Sequence, residues 1–196
     1  MPVENEIKHV LSDPDGTLMR KLAARRPGVD IDQFYVNSGN RFRRSDHPSK
    51  GTRREHTFKL SVSGRVLEIE TDVSEEDFTL ASQAARERVV KRRFSFNEPD
   101  AHWDVDFLYT APSGQGGSVR FVMAEAEFPE GATYQVPDII LEHLDFIVPK
   151  GFSSEFTNRK LADEGHVHRV MRDVAPRLRS ETPRILEQMG SRRPAN

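Results

Sequence analysis

Acidic and basic residues recur along this chain at every second position, and the spacing suggests chemistry. Glu4, Glu6 and Lys8 stand in "ENEIK", Arg41 and Arg43 in "RFR", and Lys59 in "TFK". Glu68 and Glu70 follow in "EIE", Lys91 and Arg93 in "KRR", Asp104 and Asp106 in "DVD", and Glu125 and Glu127 in "EAE". Residues i and i+2 of a strand share a face. The residues between the charges are mostly apolar: Ile7, Phe42, Phe58, Ile69, Val105 and Ala126. For any one strand the plain reading is a sheet with one face in solvent. The pairs are segregated by sign, however, and two carboxylates about 7 Å apart repel by roughly 2 kcal/mol at an effective dielectric near 20. Same-sign pairs make sense where each meets an opposite charge. Carboxylate pairs suit a hard divalent cation with oxygen ligands. Arg and Lys pairs suit a polyanion, with Arg forking two phosphate oxygens. A metal with a polyphosphate uses both sets in one cavity, and a barrel closed around its polar face supplies such a cavity.

The elements that must position these pairs are mainly strands. Runs rich in Val, Ile, Phe, Tyr and Thr predict strands over 4–11, 33–45, 56–62, 65–72, 89–97, 102–110 and 119–128. Ser63-Gly64 reads as a tight hairpin and "PSGQGGS" (112–118) as a longer flexible one. Helical patterns fall at 74–87, where Ser74 and Asp77 form a capping start, and at 137–144, 154–163 and 166–190. Strands follow one another with few helical crossovers, which predicts a mainly β, α+β fold with an antiparallel sheet or barrel. The expected organisation is one domain over 1–165, a C-terminal helix over 166–190 and a disordered tail over 191–196.

Composition removes several function classes. The 196 residues suffice for a sizeable core, with 36% hydrophobic and 31% charged residues. A formal net charge of −2 argues against a basic nucleic-acid footprint. With no cysteine there are neither disulfides nor thiolate metal sites. No apolar run spans a bilayer and "MPVENEIKHV" is not a signal peptide, so a cytoplasmic protein without membrane partners is expected.

One short motif points elsewhere. "VLSDPDGTL" (10–18) resembles the nucleophile loop of haloacid dehalogenase-type phosphatases, with Asp13 as nucleophile and Asp15 as proton donor. That chemistry needs a parallel sheet with the loop at a strand's carboxyl end, and the βα alternation is missing here. A Pro-Asp-Gly turn explains the same letters: Pro sets φ, Asp bonds its own backbone and Gly takes positive φ.

The ordered series of charges resembles the CYTH family, the triphosphate tunnel metalloenzymes. The E-x-E-x-K start at Glu4, Glu6 and Lys8 is followed in family order by Gln33 and Tyr35, Arg41-x-Arg43, Thr57-x-Lys59 and Glu68-x-Glu70. Lys91-x-Arg93, Asp104 and Asp106, and Glu125-x-Glu127 come next, and "FTNRKLA" (156–162) is similar to the family's closing helix. The resemblance spans about residues 3 to 162. It implies an eight-stranded antiparallel β-barrel tunnel with covering helices that binds a triphosphate with Mg²⁺ or Mn²⁺. Carried over by position, Glu4, Glu6, Glu125 and Glu127 would hold metal. Lys8, Arg41, Arg43, Lys59, Lys91 and Arg93 would grip phosphates. Glu70 and Asp106 would support metal or orient water, and Lys91 is a candidate general base if burial lowers its pKa. The implied activity is hydrolysis of tripolyphosphate or of a nucleoside or organic triphosphate. The alternatives are a class IV-type adenylate cyclase and a non-catalytic polyphosphate-binding module. Expected partners are the small triphosphate and a second copy of the chain, with nucleic acid only as the 5′-triphosphate end of an RNA.

The chain departs from the family pattern in three places. The first strand continues as "KHVL", Asp145 in "LEHLDFIVP" stands where a Glu is usual, and 44–56 reads as a long polar segment, a lid near the tunnel mouth. Two further features have plainer readings. His166 and His168 in "HVH" would not share a helix face, which predicts exposed histidines and no metal. Trp103 is a strand aromatic, more often core than a base-stacking platform.

Overall fold

A computed structural model of the chain describes residues 5–37, 39–63, 65–111 and 117–190. Among these residues nine strands form a single antiparallel sheet: β1 (Asn5–Leu11), β2 (Val29–Asn37), β3 (Asn40–His47), β4 (Gly51–Val62), β5 (Arg65–Asp72), β6 (Glu87–Asn97), β7 (His102–Tyr109), β8 (Val119–Phe128) and β9 (Leu144–Val148). Their order across the sheet is β5-β4-β3-β2-β6-β7-β8-β1-β9. The expected mainly β, α+β architecture is therefore present, with nine strands where the resemblance implied eight. Among the described residues β5 and β9 are edges and do not pair with each other. The free edge of β9 is covered by a helix: the Thr182 hydroxyl accepts from the Ile147 amide at 2.9 Å and donates to the Leu178 carbonyl at 2.8 Å. A strand edge satisfied in this way does not recruit another strand.

Strand alternation divides the sheet into a polar and an apolar face. In β7, Trp103, Val105 and Phe107 point into a core shared with Phe94, Phe96, Val122, Ala124 and Ala126. Helix α1 (Thr17–Ala23) lays Leu18 and Leu22, one turn apart, onto this core. Tyr134, Val136 and Ile140 from the segment entering α3 (Asp138–Leu141) add to it. The other face of β7 presents Asp104 and Asp106, then turns apolar at Leu108. There Val10, Val89, Leu108, Phe121 and Met123 form a second core with Phe146 of β9 and Phe156. This core is covered by the 3-10 segment Lys150–Phe156, α4 (Asn158–Leu161), α5 (Glu164–Asp173) and α6 (Ala175–Gln188). One end of the polar face is thus roofed by the C-terminal helices.

Several sequence expectations need correction. The run 33–45 is two strands, because the chain reverses between Asn37 and Asn40. Gly39 takes φ 97 there, and a Cβ would stand 2.5 Å from the Lys59 carbonyl oxygen. The polar segment 44–56 is the paired β3–β4 hairpin rather than a loop: Arg44 faces Arg54 and Asp46 faces Thr52. The helix expected over 137–144 stops at Leu141, and "LDFIV" runs on as β9. Helix α1 has no counterpart in the sequence reading. The helix expected over 166–190 is α5 and α6, and α2 occupies Glu75–Ser82 within the expected 74–87. The tail over 191–196, Gly64 of the expected hairpin and 112–116 of the second loop lie outside the described residues. No helix among the described residues is long and apolar enough to cross a membrane.

Candidate functional site

Cross-strand register lines up the charged pairs on the polar face. Lys8 opposes Glu125, Glu125 opposes Asp104, and Arg93 opposes Asp106. Further across the sheet, Gln33 opposes Arg43, Tyr35 opposes Arg41, and Thr57 opposes both Arg41 and Glu70. Residues separated by up to 117 positions therefore become neighbours.

The first half of the site is a connected ion network. Lys8 Nζ donates to Glu125 at 2.9 Å and contacts Glu6. Arg93 grips Asp106 with two bonds, Nε at 2.7 Å and Nη2 at 2.6 Å. It also contacts Asp104 and reaches Glu125 at 3.3 Å. Ser95 donates to Asp104 at 2.5 Å. Lys91 lies 2.6 Å from Asp106 with neither side chain exposed, and it donates to Asn158 Oδ1 at 3.2 Å. Burial alone would raise the Asp106 pKa, but Arg93 and then Lys91 hold it well below the usual carboxylate range. Burial would lower that of Arg93, but Asp106, Asp104 and Glu125 carry it above the usual guanidinium value. Burial outweighs the attraction of Asp106 at Lys91, whose pKa falls to about 8. Neither side chain of this pair has exposed surface.

The second half is rich in unpaired donors. Arg41 Nη2 donates to Thr57 at 2.9 Å and lies 3.5 Å from Glu70, whose oxygen also accepts from Thr57 at 3.0 Å. Among the described residues Arg43 has a single side-chain hydrogen bond, to Gln33 Oε1 at 3.4 Å, and no carboxylate within 4.0 Å. The Nε atoms of Arg41 and Arg43 are buried without an acceptor among the described residues. Burial, then Arg41 and Arg93, lower the Arg43 pKa, and the more distant Asp106 and Glu55 oppose them without reversing the direction. Lys59 and Glu68 pair at 3.1 Å near the exposed β4–β5 edge, apart from the rest.

Among the proposed metal-holding glutamates, Glu4 lies outside the described residues. Glu6 and Glu127 oppose each other across β1 and β8, beside Glu125. All are oxygen donors without histidine or cysteine, a set that fits a hard divalent cation in kind. Among the described residues no three acidic or histidine side chains converge to hold a metal, because Lys8 and Arg93 take up carboxylate oxygens.

Other motifs resolve simply. Asp13 accepts from the Leu18 and Met19 amides at 2.8 and 3.1 Å, and Asp15 from Thr17 Oγ1 at 2.7 Å. With Gly16 at φ 72, "DPDGT" is the start of helix α1. His166 is buried against the Glu155 carbonyl at 2.8 Å, contrary to its expected exposure, while His168 is exposed. Trp103 is fully buried in the core. Asp145 is gripped by Arg179 through two bonds of 2.7 Å. Asn158 and Arg159 of α4 are site neighbours to which the sequence reading gave no role. Their signal is "FTNRKLA", where Thr157 caps α4 and so turns the first helical residues toward the polar face.

No protein-family model and no curated protein sequence matches the chain. Among solved structures, the chain is similar to a candidate adenylate cyclase of Bacillus halodurans, at 10% identity over 100% of this chain and 94% of the other, with a TM-score of 0.44. It is also similar to a candidate adenylyl cyclase of Hippeastrum with a dominant triphosphatase activity, at 14% identity over 64% and 79% of the two chains, with a TM-score of 0.34. The Schizosaccharomyces pombe Mediator head module is similar at 10% identity over 63% and 81%, with a TM-score of 0.40. Likenesses of this size assign no residue roles, which rest on the geometry above.

Proposed function

We propose that the polar face binds a triphosphate and that the protein is a metal-dependent triphosphatase. The observation that carries this reading is the Arg43 guanidinium, half-buried beside Arg41 and Arg93 with an unpaired buried Nε and no carboxylate partner among the described residues. Arg41 and Arg93 have carboxylate neighbours, but a partly buried Arg43 without one of its own implies an anion that arrives from outside. Arg41 and Arg43 would bind phosphoryl oxygens directly. Lys8 and Arg93 would exchange part of their carboxylate partnership for phosphate, and Lys59 would meet the substrate near the exposed edge. Asp106, with Lys91 and Asn158 behind it, fixes the plane of the Arg93 guanidinium. Glu70, exposed beside Arg41, is the carboxylate open to orient water. Glu4, Glu6, Glu125 and Glu127 would hold Mg²⁺ or Mn²⁺. Such an ion, when bound, neutralises phosphate charge and stabilises the charge that develops in transfer.

Product analysis with tripolyphosphate, ATP and thiamine triphosphate, each with Mg²⁺ and with Mn²⁺, tests the reading. Release of phosphate is expected. Cyclic AMP with pyrophosphate from ATP would reassign the site to a cyclase. Binding without turnover would leave a polyphosphate-binding module.

A further inference from the structure

The two edges of the sheet are finished differently. Thr182 closes β9, whereas no strand among the described residues pairs with the outer side of β5. The Val73 amide donates to the Arg54 carbonyl at 2.9 Å and so fixes the phase of the β4–β5 ladder. In the register that sets Lys59 opposite Glu68, odd-numbered residues of β5 bond β4. The N–H and C=O groups of Glu68 and Glu70 therefore point out of the sheet edge. The two faces of β5 also differ. On the polar face Glu68, Glu70 and Asp72 form a row of acids at alternate positions. Lys59 meets Glu68 at 3.1 Å, Thr57 and Arg41 meet Glu70 at 3.0 and 3.5 Å, and Arg53 meets Asp72 at 3.0 Å. All four come from the β4 side, and each acid keeps exposed surface. On the opposite face Leu67 lies across from Leu60, with Val62 and Ile69 on the same strands, and these four are 44–57% exposed.

Charged side chains on an edge strand ordinarily guard it against self-pairing. Such a guard needs no apolar face beside it, yet here four aliphatic side chains leave a patch on the order of a few hundred Å² in water, a size that is often functional. An occupant of the edge must bring an extended backbone for Glu68 and Glu70, cations for the acids and apolar groups for the patch. A second copy of the chain fails on charge. Antiparallel pairing keeps each face on its own side, so β5 against β5 sets acid opposite acid, which is destabilising. We infer that the β5 edge docks a partner protein through one extended segment in which Lys or Arg alternates with apolar residues. Its backbone adds a tenth strand, its cations stand across from Glu68 and Glu70, and its apolar side chains cover Leu67 and Ile69. The inference stands apart from the triphosphate reading and uses the sheet edge rather than the ion network.

The test titrates the full chain into a short fluorescent peptide of alternating Lys and Val, followed by anisotropy, and locates the contact by amide hydrogen exchange. One comparison peptide alternates Glu and Val, and another holds the same lysines and valines in two blocks. The alternating Lys-Val peptide should bind about tenfold more tightly than either, and it should slow exchange at the Glu68 and Glu70 amides. Glu68→Pro removes one outward N–H and spares the β4 ladder, so it should retain the melting temperature and lose the peptide. Leu67→Ser should weaken binding severalfold by removing apolar cover. Equal binding of the three peptides, unchanged exchange at Glu68 and Glu70 in the wild type, or undiminished binding by a folded Glu68→Pro would each overturn the docking edge. A chain that self-associates with both amides already protected would give the edge to a second copy and overturn it as well.

Discussion

Replacing Arg43 with Met should move stability and binding in opposite directions. The methionine keeps an unbranched apolar stem of comparable reach and removes the guanidinium. In the absence of ligand, that guanidinium leaves a buried Nε unpaired and stands among Arg41 and Arg93 with one 3.4 Å hydrogen bond to Gln33. An unsatisfied buried donor costs about 1–3 kcal/mol, against about 1 kcal/mol for the hydrogen bond that is lost. A net gain of about 1 kcal/mol would raise the melting temperature by about 2–4 °C for a chain of this size. With ligand the sign reverses. Two charge-assisted bonds to phosphate are worth about 3 kcal/mol together, so affinity for tripolyphosphate should fall by roughly a hundredfold. Thermal melts with and without tripolyphosphate, beside calorimetric titration, read both quantities. A variant that melts lower than wild type and binds tripolyphosphate unchanged would show that Arg43 is structural and that its missing counter-charge means nothing for function.

Asp106→Asn should destabilise the fold by about 3–5 kcal/mol in denaturant titration, since Lys91 would stay buried without its charge partner; a loss under about 1 kcal/mol would show that the pair adds little. Stability should also rise with pH through His9, which is fully buried and whose pKa burial lowers from 6.5 to about 4. Between those values the unfolded chain binds more protons than the folded one, so about 3 kcal/mol is lost as pH falls from about 6.5 to about 4; His9→Phe should flatten that slope in acid-denaturation curves. Asp13→Asn should cost about 1 kcal/mol of stability as a weakened helix cap and retain phosphate release; an inactive but folded Asp13→Asn beside an active Glu6→Gln would favour the phosphatase reading of "DPDG". Phosphate release should stop with chelator and resume with Mg²⁺ or Mn²⁺, and Glu6→Gln should need more metal to reach half activity; wild-type metal dependence in Glu6→Gln would remove Glu6 from the site.

The sequence by itself determined which residues share a face. Parity along a strand is a local property, so Asp104 with Asp106, Lys91 with Arg93 and Glu125 with Glu127 could be assigned to one side before any pairing was known. It also fixed the antiparallel, mainly β character through short strands with few crossovers. Only tertiary structure decided who neutralises whom. Lys8 meets Glu125 across 117 positions and Lys91 meets Asn158 across 67, distances over which no local pattern carries information. The same limit explains β9: "LDFIV" is apolar enough for helix or strand, and it becomes a strand because β1 offers a free edge on one side and Thr182 on the other. It explains the depth of Lys91 as well, since a lysine in a charged run gives no sign that the rest of the chain will bury it completely. Burial depends on what the rest of the chain brings over a residue, and that is settled only when the sheet and its covering helices have packed.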